Sequence, residues 1–131
     1  MTIPVLLVDD SEFDRTYTGI MLDRTGLPWA VQECESGPEA LDVIAQAPGR
    51  VGLILLDVNM PGMNGFEFIA AFERLPADVR GATEIVVLSS SPLDSERRQA
   101  LAHAVVKDYL VKPLTQAQAQ RLGQRQGLAS A

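Results

Sequence analysis

Residues 53–57 read Leu-Ile-Leu-Leu-Asp, a short apolar run that ends in a carboxylate. Four further apolar runs punctuate the chain, and three of them also deliver polar or charged residues at their C-terminal ends. These three are residues 3–8 before Asp9 and Asp10, 85–88 before Ser89, and 109–111 before Lys112, whereas the run at 29–31 lacks such an end. Because ligands bind beyond the carboxyl ends of the strands in an open parallel sheet, the pattern predicts that these residues converge on one pocket.

The segments between the apolar runs have helical spacing and helix start signals. Ser11 is placed to cap the first helix, and a capping box formed by Ser36 and Glu39 opens the second. The first helix has one shared face composed of Phe13, Tyr17, Ile20 and Met21. Further helices are predicted over about 36–48, 65–75 and 92–103, with a short one from residue 115. This alternation predicts an α/β fold whose parallel sheet is covered by helices on both faces.

The composition describes one acidic globular domain. The chain has 131 residues, of which 47% are hydrophobic, and its net charge of -6 argues against nucleic acid as a direct partner. No apolar stretch reaches the ~20 residues that span a membrane, and no secretory signal is visible, so we expect a cytoplasmic protein without a membrane partner. The lone Cys34 and the lone His103 exclude an internal disulfide and a Cys/His zinc site.

The polar strand ends have the chemistry of a magnesium and phosphoryl site. The carboxylates of Asp9, Asp10 and Asp57 would repel one another in one crevice unless they bind protons or a cation. Mg²⁺ fits, because it prefers carboxylate oxygens and accepts phosphate as a further ligand. Asp57 stands alone at its strand end and is the candidate nucleophile toward phosphorus. The Ser89 hydroxyl and the Lys112 ammonium can then stabilise the phosphoryl oxygens.

Four groups of residues occur in a characteristic order. They are Asp9-Asp10, Leu56-Asp57-Val58-Asn59-Met60-Pro61-Gly62 with Gly65 just beyond, Leu88-Ser89-Ser90, and Asp108-Tyr109-Leu110-Val111-Lys112-Pro113. In this order they resemble the receiver domain of two-component response regulators, over roughly residues 2–122. The resemblance implies a flavodoxin-like, doubly wound sheet of five parallel strands in the order 2-1-3-4-5. It also implies a receiver domain over residues 1–122 and a short C-terminal tail over 123–131, without an output domain.

The resemblance implies a role for each acidic residue of the site. Asp57 is the expected phosphoacceptor. Asp10 and Asp57 are the expected direct Mg²⁺ ligands through their carboxylates, Asn59 is a ligand through its backbone carbonyl, and Asp9 acts through water. The phosphoryl group would come from a histidine kinase, a phosphotransfer protein or a small phosphodonor.

The resemblance also implies a conformational switch. Lys112 would contact the phosphate, Ser89 would move toward it, and Tyr109 would rotate inward as Ser89 moves. The bond between Lys112 and Pro113 would be cis, an isomer found in about 5–6% of X-Pro bonds. The domain would catalyse its own phosphorylation and dephosphorylation without being a turnover enzyme. Its output would be binding of a target protein or relay of phosphate, and a second copy of the chain is a further candidate partner.

Three alternative functions remain open at this point. A haloacid-dehalogenase-type phosphatase also uses a strand-end aspartate, a hydroxyl, a lysine and Mg²⁺, but it normally places the nucleophile on the first strand. A flavodoxin-like flavin binder has the same fold, yet the acidic loop after the first strand would repel its phosphate. A receiver-like adaptor that works without phosphorylation is the third alternative, and the complete set of acceptor residues argues against it.

Overall fold

The computed structural model describes residues 2–126, which form five strands and six helices. The strands are β1 (Ile3–Val8), β2 (Trp29–Cys34), β3 (Leu53–Leu56), β4 (Glu84–Ser89) and β5 (Val106–Val111). The helices are α1 (Glu12–Asp23), α2 (Gly37–Gln46), α3 (Gly65–Glu73), α4 (Ala77–Arg80), α5 (Asp94–Leu101) and α6 (Gln116–Arg125). All strands lie parallel in one sheet of order β2-β1-β3-β4-β5, which confirms the predicted fold class.

The sheet reverses its winding direction between β1 and β3. Strand β1 pairs with β2 on one side and with β3 on the other, while β4 and β5 follow beyond β3. The Asp57 N–H donates to the Val8 carbonyl oxygen at 2.9 Å, so the pairing of β1 with β3 continues past both strand ends. A doubly wound sheet opens its crevice at such a reversal, and Asp9, Asp10 and Asp57 follow their strands there.

Alternate side chains of the central strands enter two separate cores. Val8 and Leu56 belong to the core that packs against α2, α3 and α5. Leu7 and Leu55 belong to the second core, which α1 and α6 cover. Both faces of these strands are therefore buried, as their nearly continuous apolar sequence requires. Burial on both faces fixes the register of the strands and hence the positions of the residues that follow them.

Helix α3 begins directly against the loop that carries Asp57. The Gly65 N–H donates to the Val58 carbonyl oxygen at 3.0 Å, and a Cβ on Gly65 would lie only 2.5 Å from the Val58 Cα. Asn64 and Glu67 form a capping box, in which each side chain accepts a hydrogen bond from the other's backbone N–H at 2.9 Å. The glycine and the cap together hold the loop after β3 close to the helix.

The helix start signals read from the sequence are present, with one difference. The Ser11 hydroxyl accepts a hydrogen bond from the Asp14 N–H at 3.2 Å, as predicted. Ser36 likewise accepts from the Glu39 N–H at 3.3 Å, but the Glu39 carboxylate accepts from Glu35 rather than from Ser36. Only the hydrogen bond to the Ser36 hydroxyl therefore forms as predicted. The Glu39 carboxylate instead accepts from the backbone N–H of Glu35, the residue before Ser36.

The predicted shared face of α1 lies mostly at the surface. Three of its four members are exposed, namely Phe13 by 77%, Tyr17 by 37% and Ile20 by 45%. The buried side of the helix instead includes Arg15, Thr18 and Leu22. Arg15 is buried because its guanidinium donates to the Asp9 carbonyl oxygen at 2.7 Å and to the Glu33 carboxylate at 2.9 Å. A charged residue therefore occupies a core position that the apolar pattern could not indicate.

The later helices depart modestly from the predicted lengths. Helix α5 is shorter than the predicted 92–103, and the four-residue helix α4 was not predicted. Helix α6 continues through Arg125, so it includes the first three residues of the predicted tail, and Gly123 leaves no room for a Cβ beside Leu27. Residues 127–131 of that tail lie outside the described residues. None of the helices in residues 2–126 is long and apolar enough to cross a membrane.

Candidate functional site

The crevice between β1 and β3 contains a cluster of three carboxylates. Asp9 and Asp10 follow β1, Asp57 follows β3, and one oxygen from each lies within 4.8 Å of the others. Asp9 is 7% exposed and Asp57 is 6% exposed, whereas Asp10 lies at the surface. Two buried anions and a third at the mouth form a donor set that suits a hard divalent cation such as Mg²⁺.

Lys112 brings a positive charge into this acidic cluster. Its Nζ donates to Asp9 Oδ2 at 2.8 Å and to Asp14 Oδ2 at 2.9 Å, and it lies 3.7 Å from Asp57 Oδ1. Burial alone would lower the pKa of Lys112, but the hydrogen bonds to Asp9 and Asp14 outweigh it and the pKa is raised. The ammonium is therefore charged at neutral pH and balances part of the cluster.

Asp57 is the carboxylate whose charge is least favourable in the folded protein. Its pKa is raised from 3.8 to about 6, chiefly by burial and further by repulsion from Asp9 and Asp10. The charge of Lys112 and the N–H of Asn59 act in the opposite direction. An ionised, buried carboxylate that lacks full compensation is reactive toward electrophiles and attracts a cation.

The raised pKa of Asp57 makes stability depend on pH and on Mg²⁺. Between about pH 4 and about pH 6 the Asp57 carboxyl binds more protons in the folded protein than in the unfolded chain, so its contribution to stability should fall as pH rises through that window. Saturating Mg²⁺ should compensate the charge, and it should raise the unfolding temperature by several degrees at about pH 7.5 and much less at about pH 5. Thermal unfolding at both pH values checks this, and an equal Mg²⁺ effect at both would contradict it.

The hydroxyl groups of Ser89 and Tyr109 meet at the carboxylate of Glu96 on α5. The fully buried Ser89 donates to Glu96 Oε2 at 3.1 Å and accepts from the Ser91 N–H at 3.0 Å. The Tyr109 hydroxyl contacts the same Glu96 oxygen and lies 2.6 Å from the Ser91 carbonyl oxygen. Burial and the Glu96 hydrogen bond raise the pKa of the Tyr109 phenol.

Tyr109 already lies inward, with 3% of its surface exposed. The expected sequence of events was that Tyr109 turns inward as Ser89 moves toward a phosphoryl group. In this structure the inward Tyr109 instead accompanies a Ser89 that donates to Glu96. The Tyr109 ring can therefore lie inward while the hydroxyl groups of Ser89 and Tyr109 both contact Glu96 on α5.

Asn59 and Pro113 lie beside the cluster. The Asn59 N–H donates to Asp57 Oδ1 at 3.2 Å, so the loop after β3 folds back over the carboxylate. The Lys112 N–H donates to the Ser89 carbonyl oxygen at 2.8 Å, which continues the pairing of β4 with β5. The peptide bond from Lys112 to Pro113 is cis.

Three residues of the site were not singled out from the sequence. Asp14 bonds Lys112, Arg15 holds the carbonyl oxygen of Asp9, and Glu96 holds Ser89. None of the three carried a usable sequence signal, because the partners of Asp14, Arg15 and Glu96 lie on other elements of the fold.

Comparisons with known proteins identify the family and support the fold. A family model described as response regulator receiver domain matches residues 5–122. A 14.6 kDa protein of Leptolyngbya boryana is 32% identical over 125 residues, which cover 95% of this chain and 90% of that protein. The cyclic di-GMP phosphodiesterase response regulator RpfG of Xanthomonas campestris is 34% identical over 112 residues, which cover 84% of this chain but 28% of RpfG. The solved structure of a two component response regulator from Cytophaga hutchinsonii superposes with a TM-score of 0.86 at 29% identity, covering 96% of this chain and 98% of that one.

Proposed function

The chain belongs to the response regulator receiver domain family, and from this premise we propose that it accepts a phosphoryl group on Asp57 and changes conformation in response. The donor is the phosphohistidine of a histidine kinase or phosphotransfer protein, or a small acyl phosphate. The observation that carries the proposal is the position of Asp57, which is buried within a cluster of three carboxylates and has the Lys112 ammonium 3.7 Å away.

The transfer begins with Asp57 in its ionised form. A carboxylate oxygen of Asp57 forms a bond to phosphorus while the bond from phosphorus to the donor nitrogen or oxygen breaks, and the electron pair leaves with the donor. Asp10 and Asp57 would hold Mg²⁺ through their carboxylates, Asn59 through its carbonyl oxygen and Asp9 through water. The ion would supply charge compensation for the phosphoryl oxygens and the carboxylates.

Lys112 and Ser89 then respond to the new group. The phosphoryl group places about -1.5 to -2 charges at Asp57 in place of the single charge of the carboxylate. Lys112 thereby gains a stronger acceptor than the carboxylate oxygen that lies 3.7 Å from it in the structure. Ser89 donates to the phosphoryl oxygen in place of Glu96, which frees one contact between β4 and α5. Helix α5 buries only Ala100 fully, so the loss of that contact leaves it held by few others, among them those of Glu96 and Arg97 with Tyr109.

Several finer expectations stay predictions. These are the kinase and target protein, pairing with a second copy, a cytoplasmic location, and the absence of enzymatic turnover. The phosphatase alternative is the most useful to separate from the receiver, because both use a strand-end aspartate and Mg²⁺. The two differ in outcome, since a receiver holds one phosphoryl group at a time on its aspartate, whereas a phosphatase hydrolyses many molecules of a phosphate ester.

Incubation with Mg²⁺ and acetyl phosphate tests the proposal. Intact-mass measurement should detect one added phosphoryl group per chain, and chelation of Mg²⁺ before the donor is added should prevent it. Release of inorganic phosphate from a panel of small phosphate esters, in amounts far above the protein concentration, would favour the phosphatase instead. A chain that gains no mass with any phosphodonor would favour the phosphorylation-independent adaptor.

A further inference from the structure

We propose that Asp14 is a positioning residue that holds Lys112 away from the phosphoryl site and thereby weakens binding of tetrahedral oxyanion groups at Asp57. The inference rests on the proposed function and adds a residue that controls how tightly the site binds a phosphoryl group. Asp14 lies outside the cluster of Asp9, Asp10 and Asp57, and its carboxylate reaches the site only through Lys112.

The hydrogen bonds of Lys112 show the competition. An ammonium has three protons, and here two of them bond Asp9 and Asp14 at 2.8 and 2.9 Å. The contact with Asp57 is the longest of the three at 3.7 Å. A phosphoryl group on Asp57 needs a short, charge-assisted bond from Lys112. The third proton is available to a phosphoryl group, but the bonds to Asp9 and Asp14 restrain how closely Nζ can approach it.

Asp14 is the stronger competitor once a cation is present. A divalent ion in the cluster compensates the charge of Asp9, because Asp9 belongs to the donor set. Asp14 does not, and among the described residues its only ion-pair partner is Lys112. Its negative charge therefore remains directed at Lys112 and at any incoming phosphoryl group. The attraction of Lys112 to Asp14 and the repulsion between Asp14 and an incoming phosphoryl group both oppose binding of an anionic ligand at Asp57.

The fold fixes the backbone of Asp14 beside Lys112. It lies in the first turn of α1, where Ser11 accepts a hydrogen bond from its backbone N–H at 3.2 Å. The next residue, Arg15, is buried and anchored to the Asp9 carbonyl oxygen and to Glu33. The Asp14 side chain is 35% exposed, so its charge remains partly hydrated and is sensitive to salt.

Binding of beryllofluoride, a tetrahedral phosphoryl mimic, measures the effect without phosphotransfer. At saturating Mg²⁺ and low salt, calorimetry should give a dissociation constant about three- to tenfold lower for Asp14→Asn than for wild type. The difference should shrink at high salt. Asp14→Glu keeps the charge and should bind close to wild type. Asp23→Asn, an exposed change on the same helix, is the matched control and should leave the constant unchanged.

The kinetic readout is independent of the mimic. The concentration of acetyl phosphate that gives half the maximal rate should fall for Asp14→Asn, while Asp23→Asn should match wild type. A dissociation constant and a half-saturation concentration that stay equal to wild type, or rise, would overturn the role of Asp14. A wild type that takes neither beryllofluoride nor a phosphoryl group would overturn the proposed function as well, so the two failures are distinguishable.

Discussion

Asp57→Asn is expected to abolish phosphoryl gain from acetyl phosphate, because the amide has no carboxylate oxygen that can form an acyl phosphate. The substitution keeps the size of the side chain, and its carbonyl oxygen can still accept from the Asn59 N–H, which lies at 3.2 Å in the wild type. It also removes the charge that burial disfavours most at this site. The variant should therefore be inactive and, without Mg²⁺ at about pH 7.5, should unfold several degrees above wild type.

Intact-mass measurement and thermal unfolding together separate loss of the acceptor from loss of the fold. Asp42→Asn is a matched control, because Asp42 is an exposed aspartate on α2 outside the carboxylate cluster. This control should gain a phosphoryl group at the wild-type rate. If Asp57→Asn still gains one, another carboxylate is the acceptor, and peptide mapping should then examine Asp9 and Asp10.

The alternation of strands and helices and the sheet edge that gathers the polar residues were accessible from the sequence because both depend on short-range patterns, whereas the strand order followed from the family resemblance. Apolar runs predict strands, and each of the five forms one, although only the central strands β1, β3 and β4 are mostly buried on both faces. The polar residues that follow them sit at one edge because all the strands are parallel. The face of α1 was less accessible, because the apolar pattern of Phe13, Tyr17 and Ile20 faces solvent while Arg15 is buried.

The partners of the site residues could not be predicted either, because contacts between separate elements leave no local pattern in the sequence. Glu96 bonds Ser89 across a separation of seven residues and Tyr109 across thirteen, and no local periodicity relates these positions. Asp14 and Lys112 are 98 residues apart in the chain. Sequence patterns identify which groups can do the chemistry, whereas the contacts that restrain those groups depend on how separate elements pack.

Lys112→Gln is expected to slow phosphoryl gain by about 10²–10³-fold, the cost of removing one charged group that stabilises a developing anion. Two effects act in the same direction. The charge nearest to Asp57 is lost, so the transferring oxygens lack an ammonium partner at a position now 3.7 Å from the carboxylate. Lys112 is also the main influence that lowers the pKa of Asp57, so its removal leaves more of the acceptor protonated.

The second effect predicts a shift in the pH profile, which distinguishes Lys112 from a residue that only supports the fold. The rate of mass gain, followed from about pH 6 to about pH 9, should rise with pH over a higher range in Lys112→Gln than in wild type. Lys107→Gln removes the chain's other lysine, which is exposed and bonds the Ala104 carbonyl oxygen, and it should leave both rate and profile unchanged. A Lys112→Gln protein that gains its phosphoryl group within about twofold of the wild-type rate would rule out electrostatic stabilisation by Lys112, because that loss is far below the range expected for such a group.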